Sequence, residues 1–88
     1  MAYFAQINED SVVTEVIAVN NETLDYLPYP ESEPVGQAFI ASLGIQGLFL
    51  QTSYNNNFRG TFAGIGYTYD AVTDVFVPLP SVEPIDPV

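Results

Sequence analysis

The sequence contains no cysteine, no histidine and no lysine, and its single base is Arg59. Without cysteine and histidine, the chain can form neither disulfide bonds nor an ordinary zinc or transition-metal site. The same absences remove the general base and the activated nucleophile that Ser-His-Asp and Cys-His catalysis need. We therefore expect a protein that is not an enzyme and that uses no cofactor.

The shortage of bases gives the 88-residue chain a net charge of −10, although its 11 carboxylates are an ordinary supply. Proteins bind nucleic acids largely through Lys and Arg, and anionic lipids also attract bases. Nucleic acid and membrane are therefore not expected partners. Residues 34–58 carry no charge, but their Gln and Asn residues leave no window of about 20 apolar residues for a spanning helix. The N-terminus lacks a basic secretory n-region, so we expect a soluble protein made in a cytoplasm.

Apolar residues make up 48% of the sequence, which excludes a disordered acidic tail. The pattern predicts a mainly β protein with a minor α part. We expect a small antiparallel sheet, sandwich or barrel of about five strands, with one short helix and an extended C-terminal arm. Residues 2–19 predict a β-hairpin with its turn at 8–11. The second arm of this hairpin is apolar on both faces, so we expect it to be covered on both sides.

The middle of the chain predicts one helix, and the second half predicts further strands. Apolar residues recur at helical spacing over residues 35–43, with Ser32 as N-cap and Gly44 just after the last turn. Residues 48–54 and 61–69 predict a strand pair joined by an asparagine-rich turn. A turn at 70–74 and a last short strand, Val75–Val77, complete a domain over residues 1–77.

Residues 78–88 predict an extended arm, because four prolines in this segment exclude a helix and most ladder hydrogen bonds. Apolar residues recur in it every three positions, which is the period of a polyproline II helix. One edge of the arm is therefore apolar and suited to docking. The residues of that edge are Leu79, Val82, Ile85 and Val88.

Aromatic residues are numerous for so small an interior, with six Tyr and six Phe. We assign Phe39, Phe49 and Phe62 to the core. The loop aromatics Tyr26, Tyr29 and Phe58 fit either the core or a protein–protein interface, where Tyr and Phe are enriched. Arg59 fits either an exposed charge that pairs weakly with an acid or an interface anchor. The candidate partner-binding residues are Tyr26, Tyr29, Phe58, Arg59, Leu79, Val82, Ile85 and Val88.

Asp70 and Asp74 are the nearest approach to a catalytic carboxylate pair, since they lie across one turn. Turn chemistry explains both equally well, because Asp hydrogen-bonds its own backbone in such turns. A loosely held calcium ion is a further alternative, because carboxylate and carbonyl oxygens are its ligands. We favour the turn.

Four strings of the sequence resemble small virion-associated proteins of tailed phages, especially marine and cyanobacterial phages. They are MAYFAQI at 1–7, VIAV at 16–19, QTSYN at 51–55 and AGIGYTYD at 63–70. The resemblance covers about residues 1–78. Relatives often carry Trp just before the QTSYN string, where this chain has Phe49 and Leu50, and they tend to continue into a Trp-bearing extension. No role of that extension is carried over.

The resemblance implies a structural protein of the phage particle, assembled in the host cytoplasm. The leading hypothesis is a capsid decoration (cement) protein that binds the major capsid protein or another virion protein as a trimer or dimer. A tail or neck component is the alternative. An acidic DNA mimic that inhibits host nucleases is an alternative of another class, but the acids are clustered mainly in turns and loops rather than in a dense array.

Overall fold

The computed structural model describes residues 1–79, which form five β-strands in two antiparallel sheets and one α-helix. The predicted mainly β class with one short helix is confirmed. Of the predicted arm, Val82, Ile85 and Val88 lie outside the described residues. The elements are β1 (Ala2–Ile7), β2 (Val13–Val19), a 3-10 helix (Asn21–Leu24), α1 (Ser32–Ser42), β3 (Leu48–Thr52), β4 (Thr68–Asp70) and β5 (Val75–Val77).

The first sheet has the order β2-β1-β3, with β1 antiparallel to both neighbours. The predicted hairpin is confirmed, and Asn8 shapes its turn because its Oδ1 accepts from the backbone N–H groups of Asp10 (2.8 Å) and Val12 (3.0 Å). The register shifts after Gln6, which faces Glu15, whereas the next residue of β1 faces Val13. Such a bulge adds one residue to β2 and changes which of its backbone groups face outward.

The central strand β1 is buried on both faces, so the chain has two small cores. Phe4 is fully buried on the side that α1 covers, and Ala5 is fully buried on the side that β5 covers. The first core contains Ala2, Phe4, Val19, Leu24, Ile40 and Phe49. The second contains Ala5, Ile7, Val13, Ala63 and Phe76. Strand β2, for which covering on both faces was expected, is covered only in part: Ile17 and Val16 pack against the first and second core, but Thr14, Glu15 and Ala18 are exposed.

Helix α1 lies close against the first sheet because residue 36 is glycine. A Cβ built on Gly36 would lie 2.1 Å from Cζ of Phe4, so any side chain there would collide with the ring. The predicted C-terminal glycine is confirmed: Gly44 has φ +83° and its N–H donates to the carbonyl of Ala41 at 3.0 Å. The predicted N-cap was wrong, since Ser32 is the first helical residue and its hydroxyl donates to Oε1 of Gln51 at 2.7 Å.

The predicted strand over residues 61–69 was wrong, and so was its pairing with the preceding strand. Strand β3 pairs with β1, which offers it a partner buried on both faces. Only Thr68–Asp70 forms a strand, β4, and it pairs with β5 across the predicted turn. Gly66 has φ +93° and lies in a turn, closed by the N–H of Tyr67 on the carbonyl of Gly64 (3.0 Å), which a continuous strand does not allow.

The core assignments held for one of three phenylalanines. Phe49 is buried in the first core, and Phe39 is half-buried against it. Phe62 belongs to neither core. It packs instead edge-on against the rings of Tyr3 and Tyr54, with centroids 5.3 Å away in each case.

Candidate functional site: the Arg59 cluster and the α1–β3 groove

Arg59 lies at the centre of a side-chain cluster that joins three parts of the chain. Its guanidinium binds both carboxylate oxygens of Glu33 on α1, and its Nε donates to Oδ1 of Asp74 beside β5 at 2.8 Å. Its Nη1 also donates to the carbonyl of Gln51 on β3 at 3.1 Å. The side chain of Arg59 is only 9% exposed. The alternative of an exposed, weakly paired charge was therefore wrong, because all three nitrogens of this guanidinium donate to acceptors within the chain.

The cluster also closes the outer edge of β3. The N–H of Gln51 donates to Oε2 of Glu33 at 2.8 Å, and the carbonyl of the same residue accepts from Arg59. Two residues earlier in β3, the carbonyl of Phe49 accepts from Nε2 of Gln37 at 2.6 Å. Polar and charged side chains thus occupy three of the backbone groups that a further strand would use. Covering an edge strand in this way prevents other chains from adding to it.

Aromatic rings enclose the guanidinium. Tyr29 stacks on Phe58 with ring centroids 3.7 Å apart and planes 3° from parallel. Cζ of Arg59 lies 5.4 Å from the ring centroid of Tyr29 and 5.8 Å from that of Tyr69, within cation–π range. Two of the three loop aromatics, Tyr29 and Phe58, are thus brought together with Arg59 inside the chain.

The other two described candidates lie apart from the cluster. Tyr26 is 74% exposed and has φ +56°, so its ring is presented to solvent on a left-handed turn. Leu79 is also largely exposed, and its Cδ1 comes within 3.3 Å of a Cβ built on Gly66. Both residues are available to a partner, and their proposed role in binding stays a prediction.

Four groups of the cluster, Arg59, Asp74, Tyr29 and Tyr69, have shifted pKa values, and each shift favours the charge state that the group ordinarily has at neutral pH. Burial acts to lower the pKa of Arg59, but its hydrogen bonds to Glu33 and Asp74 outweigh that effect and raise it. Burial, followed by the hydrogen bond that it donates to Asp74 (2.5 Å), raises the pKa of Tyr69 to about 12. The hydrogen bond from Tyr69 lowers the pKa of Asp74; burial opposes that shift and Arg59 adds to it. Burial also raises the pKa of Tyr29, against the effect of Arg59.

Turn chemistry accounts for Asp70 as predicted, whereas Asp74 has an additional role. Oδ1 of Asp70 accepts from the N–H of Val72 at 2.9 Å within the β4–β5 turn. Asp74 instead bonds Arg59 and Tyr69. In residues 1–79, no group of three or more acids is arranged to hold a metal ion. The same residues contain no helix of the length and apolarity that crossing a membrane requires.

A second feature, the α1–β3 groove, lies between the C-terminal half of α1 and the start of β3. It encloses about 170 Å³ and is lined mostly by apolar residues. Ile45 and Leu48 on its wall are exposed, as is Leu43 in the same connection. The lining residues are Gln37, Ile40, Ala41, Ile45, Gly47, Leu48 and Phe49.

Partial signals of these two features were present in the sequence. A lone base among 11 acids must have acidic neighbours, but only the fold shows that Glu33 and Asp74, 26 and 15 residues away, are the ones. The groove was not predicted, because the sequence of residues 43–48 indicated only a connection between a helix and a strand. Comparison of the chain with protein-family models, with curated proteins and with solved structures gave no match.

Proposed function

We propose that this chain is a structural protein of a phage particle, and specifically a decoration protein on the capsid exterior. The sequence strings given above suggest the class of protein. The observation on the molecule that supports it is the α1–β3 groove, where Leu43, Ile45 and Leu48 expose apolar surface beside a concave site. A contiguous exposed apolar patch is typical of a protein–protein interaction site.

Charge supports a basic partner surface. The only base of the chain, Arg59, is already bonded to Glu33 and Asp74, so the remaining carboxylates have no side-chain cation of their own. Complementary potential accelerates association and fixes orientation between partners. A capsid protein that presents an apolar projection with Lys and Arg around it would fit the groove and the negative net charge of the chain.

The same charges count against a DNA mimic. A mimic presents carboxylates at the spacing of phosphates, but here Glu33 and Asp74 are turned to Arg59 and Asp70 holds its own turn. A location on the tail or neck of the particle remains the alternative within the class of structural proteins. The apolar residues of the predicted arm, Leu79, Val82, Ile85 and Val88, would add to particle binding, and deletion of residues 78–88 should then weaken attachment.

A pair of matched variants tests the proposal. Leu48→Glu places a charge on the wall of the groove, at a side chain that is 54% exposed, so the fold should tolerate it. Val72→Glu makes the same charge change in the β4–β5 turn, at a side chain that is 94% exposed. Binding to capsids stripped of this protein is measured by co-sedimentation.

We expect saturable binding for the unmodified chain and for Val72→Glu, and a loss of tenfold or more for Leu48→Glu. Placing a charge in a desolvated interface commonly costs more than about 1.4 kcal/mol, which corresponds to that factor. Absence of saturable binding by the unmodified chain would refute the proposed location on the capsid. Equal affinity of the two variants would show that the groove takes no part.

A further inference from the structure

The outer edge of β2 differs from that of β3, because part of the β2 edge has no hydrogen-bond partner within residues 1–79. At the start of β2, Val13 is satisfied: its N–H donates to the carbonyl of Tyr67 at 2.7 Å, and its carbonyl accepts from Gly66 at 2.8 Å. The bulge follows immediately, so the next outward-facing residues of β2 are Val16 and Ala18. No hydrogen bond within residues 1–79 reaches the backbone groups of these two residues on that side.

This open edge, the β2 edge, is defined by the N–H and C=O groups of Val16 and Ala18. An uncovered edge of this kind is a template for a strand from another chain. The edge of β3 differs, since Gln37, Glu33 and Arg59 bond three of the four outward groups of Phe49 and Gln51 there. Within residues 1–79, the β2 side of the sheet is therefore the side with more free backbone groups.

Charge determines which kind of strand fits. Glu15 is exposed on β2 itself, and acids lie beyond both ends of the strand, with Asp10 in the hairpin turn and Glu22 in the 3-10 helix. No lysine and no unbonded arginine lies nearby, since Arg59 is the only base. An incoming strand with Lys or Arg next to its apolar residues gains from cross-strand pairs, whereas an acidic strand loses.

A second copy of this chain fits poorly. If two β2 edges paired antiparallel about a two-fold axis, with Val16 opposite Ala18, the acidic turn after β1 of one copy would approach the acidic segment after β2 of the other. Each copy also carries a net charge of −10. The chain's own residues 80–88 fit poorly as well, because their sequence has proline at positions 80, 84 and 87 and two acids, Glu83 and Asp86. Proline has no N–H to donate to a ladder.

We propose that the β2 edge receives an extended, Lys- or Arg-bearing segment of a partner protein, which adds to the sheet as a fourth strand beside β2. This inference deepens the proposed function and rests on it for the identity of the partner as a virion protein. The docking itself depends only on the edge and its charge. The partner strand would take up to four main-chain hydrogen bonds from Val16 and Ala18, while its basic residues face Glu15 and the flanking acids.

Amide hydrogen exchange of the full chain is the first test. The N–H groups of Val16 and Ala18 should exchange quickly, whereas that of Gln51, which donates to Glu33, should be protected. Slow exchange of Val16 and Ala18 in the full chain would overturn the proposal, because the edge would already be occupied by residues 80–88 or by a second copy. Repeating the measurement on a chain that ends at Leu79 would show whether residues 80–88 occupy the edge. Repeating it over a range of concentrations would show whether a second copy does.

A synthetic peptide, acetylated and amidated Lys-Val-Lys-Val-Lys-Val-Lys, is the second test. It should shift the NMR signals of Val16 and Ala18 saturably and slow their exchange, with the signal of Gln51 unchanged. The matched peptide with Glu in place of Lys should not bind. A version with N-methylated valines, which cannot donate to the edge, should lose most of the affinity. Equal binding of the basic peptide and its N-methylated version would overturn strand addition.

The variant Glu15→Lys tests the charge requirement within the protein. It should weaken the binding of the lysine peptide several-fold and strengthen the binding of the glutamate peptide, because it reverses the charge that faces the added strand. The control Asn55→Lys also adds positive charge, but at an exposed position of another loop, and it should have a smaller effect. Peptide binding without any capsid binding would refute the proposed function and leave the docking intact. Absence of peptide binding would refute the docking alone.

Discussion

Replacing Arg59 by methionine is the most informative perturbation of the fold. The variant keeps most of the apolar stem but removes four hydrogen bonds, two to Glu33, one to Gln51 and one to Asp74. Removing one partner of a buried ion pair costs roughly 3–5 kcal/mol, because the other charge is left unpaired. The side chain of Glu33 is 16% exposed and that of Asp74 is 53% exposed, so water compensates part of the loss.

We therefore expect the free energy of unfolding to fall by about 3 kcal/mol. A domain of this size is stable by roughly 4–13 kcal/mol in total, so the loss is a large fraction. It corresponds to a decrease in Tm of roughly 12–24 °C. Urea unfolding followed by far-ultraviolet circular dichroism measures the difference directly.

Two further variants make the result specific to the cluster. Asn55→Asp changes the net charge by the same amount at an exposed residue, and it should cost less than about 0.5 kcal/mol. Combining Arg59→Met with Glu33→Gln should cost clearly less than the sum of the single variants, since the two residues share one interaction. A loss below about 1 kcal/mol for Arg59→Met, or strict additivity in the double variant, would refute the structural role of the cluster.

Three other predictions concern pH and packing. The pKa of Asp74 is lower in the folded chain than in the unfolded one. Ionised Asp74 therefore contributes to stability above about pH 4, and the contribution is lost as the pH falls through the lowered pKa. Asp74→Asn should make the loss of stability at acid pH less steep. The pKa of Tyr69 is raised to about 12 in the folded chain. Protonated Tyr69 therefore contributes fully to stability below about pH 10, and the contribution is lost as the pH rises through 12. Tyr69→Phe should remove this loss of stability at alkaline pH, and an unchanged loss would contradict the assignment. Gly36→Ala should cost roughly 1–3 kcal/mol in urea unfolding because of its collision with Phe4, whereas Ala38→Ser on the exposed face of α1 should cost under 1 kcal/mol.

Local signals made part of the fold predictable from the sequence. The hairpin was found because Asn8 and its neighbours form a recognisable turn between two apolar runs, and the end of α1 was found because only Gly44 suits its left-handed position. The strand over residues 61–69 was predicted from alternating aromatic residues. Its glycines instead form a turn, which a pattern of alternate side chains does not reveal.

The cluster could not be predicted in the same way because its members meet only in the folded chain. Arg59 was singled out by its uniqueness, but its burial depends on partners from distant elements: Glu33 of α1, Gln51 of β3 and Asp74 of the β4–β5 turn. Ser32 shows the same limit, since a residue well suited to capping a helix bonds Gln51 instead. Long-range partners of polar groups are decided by topology, which local propensity does not contain.

The most direct test of the central claim is the location of the protein on purified phage particles, detected with a gold-labelled antibody. A decoration protein predicts gold distributed over the capsid exterior, with copies at many equivalent positions. Gold confined to the tail or neck would contradict the capsid address, and particles without label would contradict a structural role in the virion.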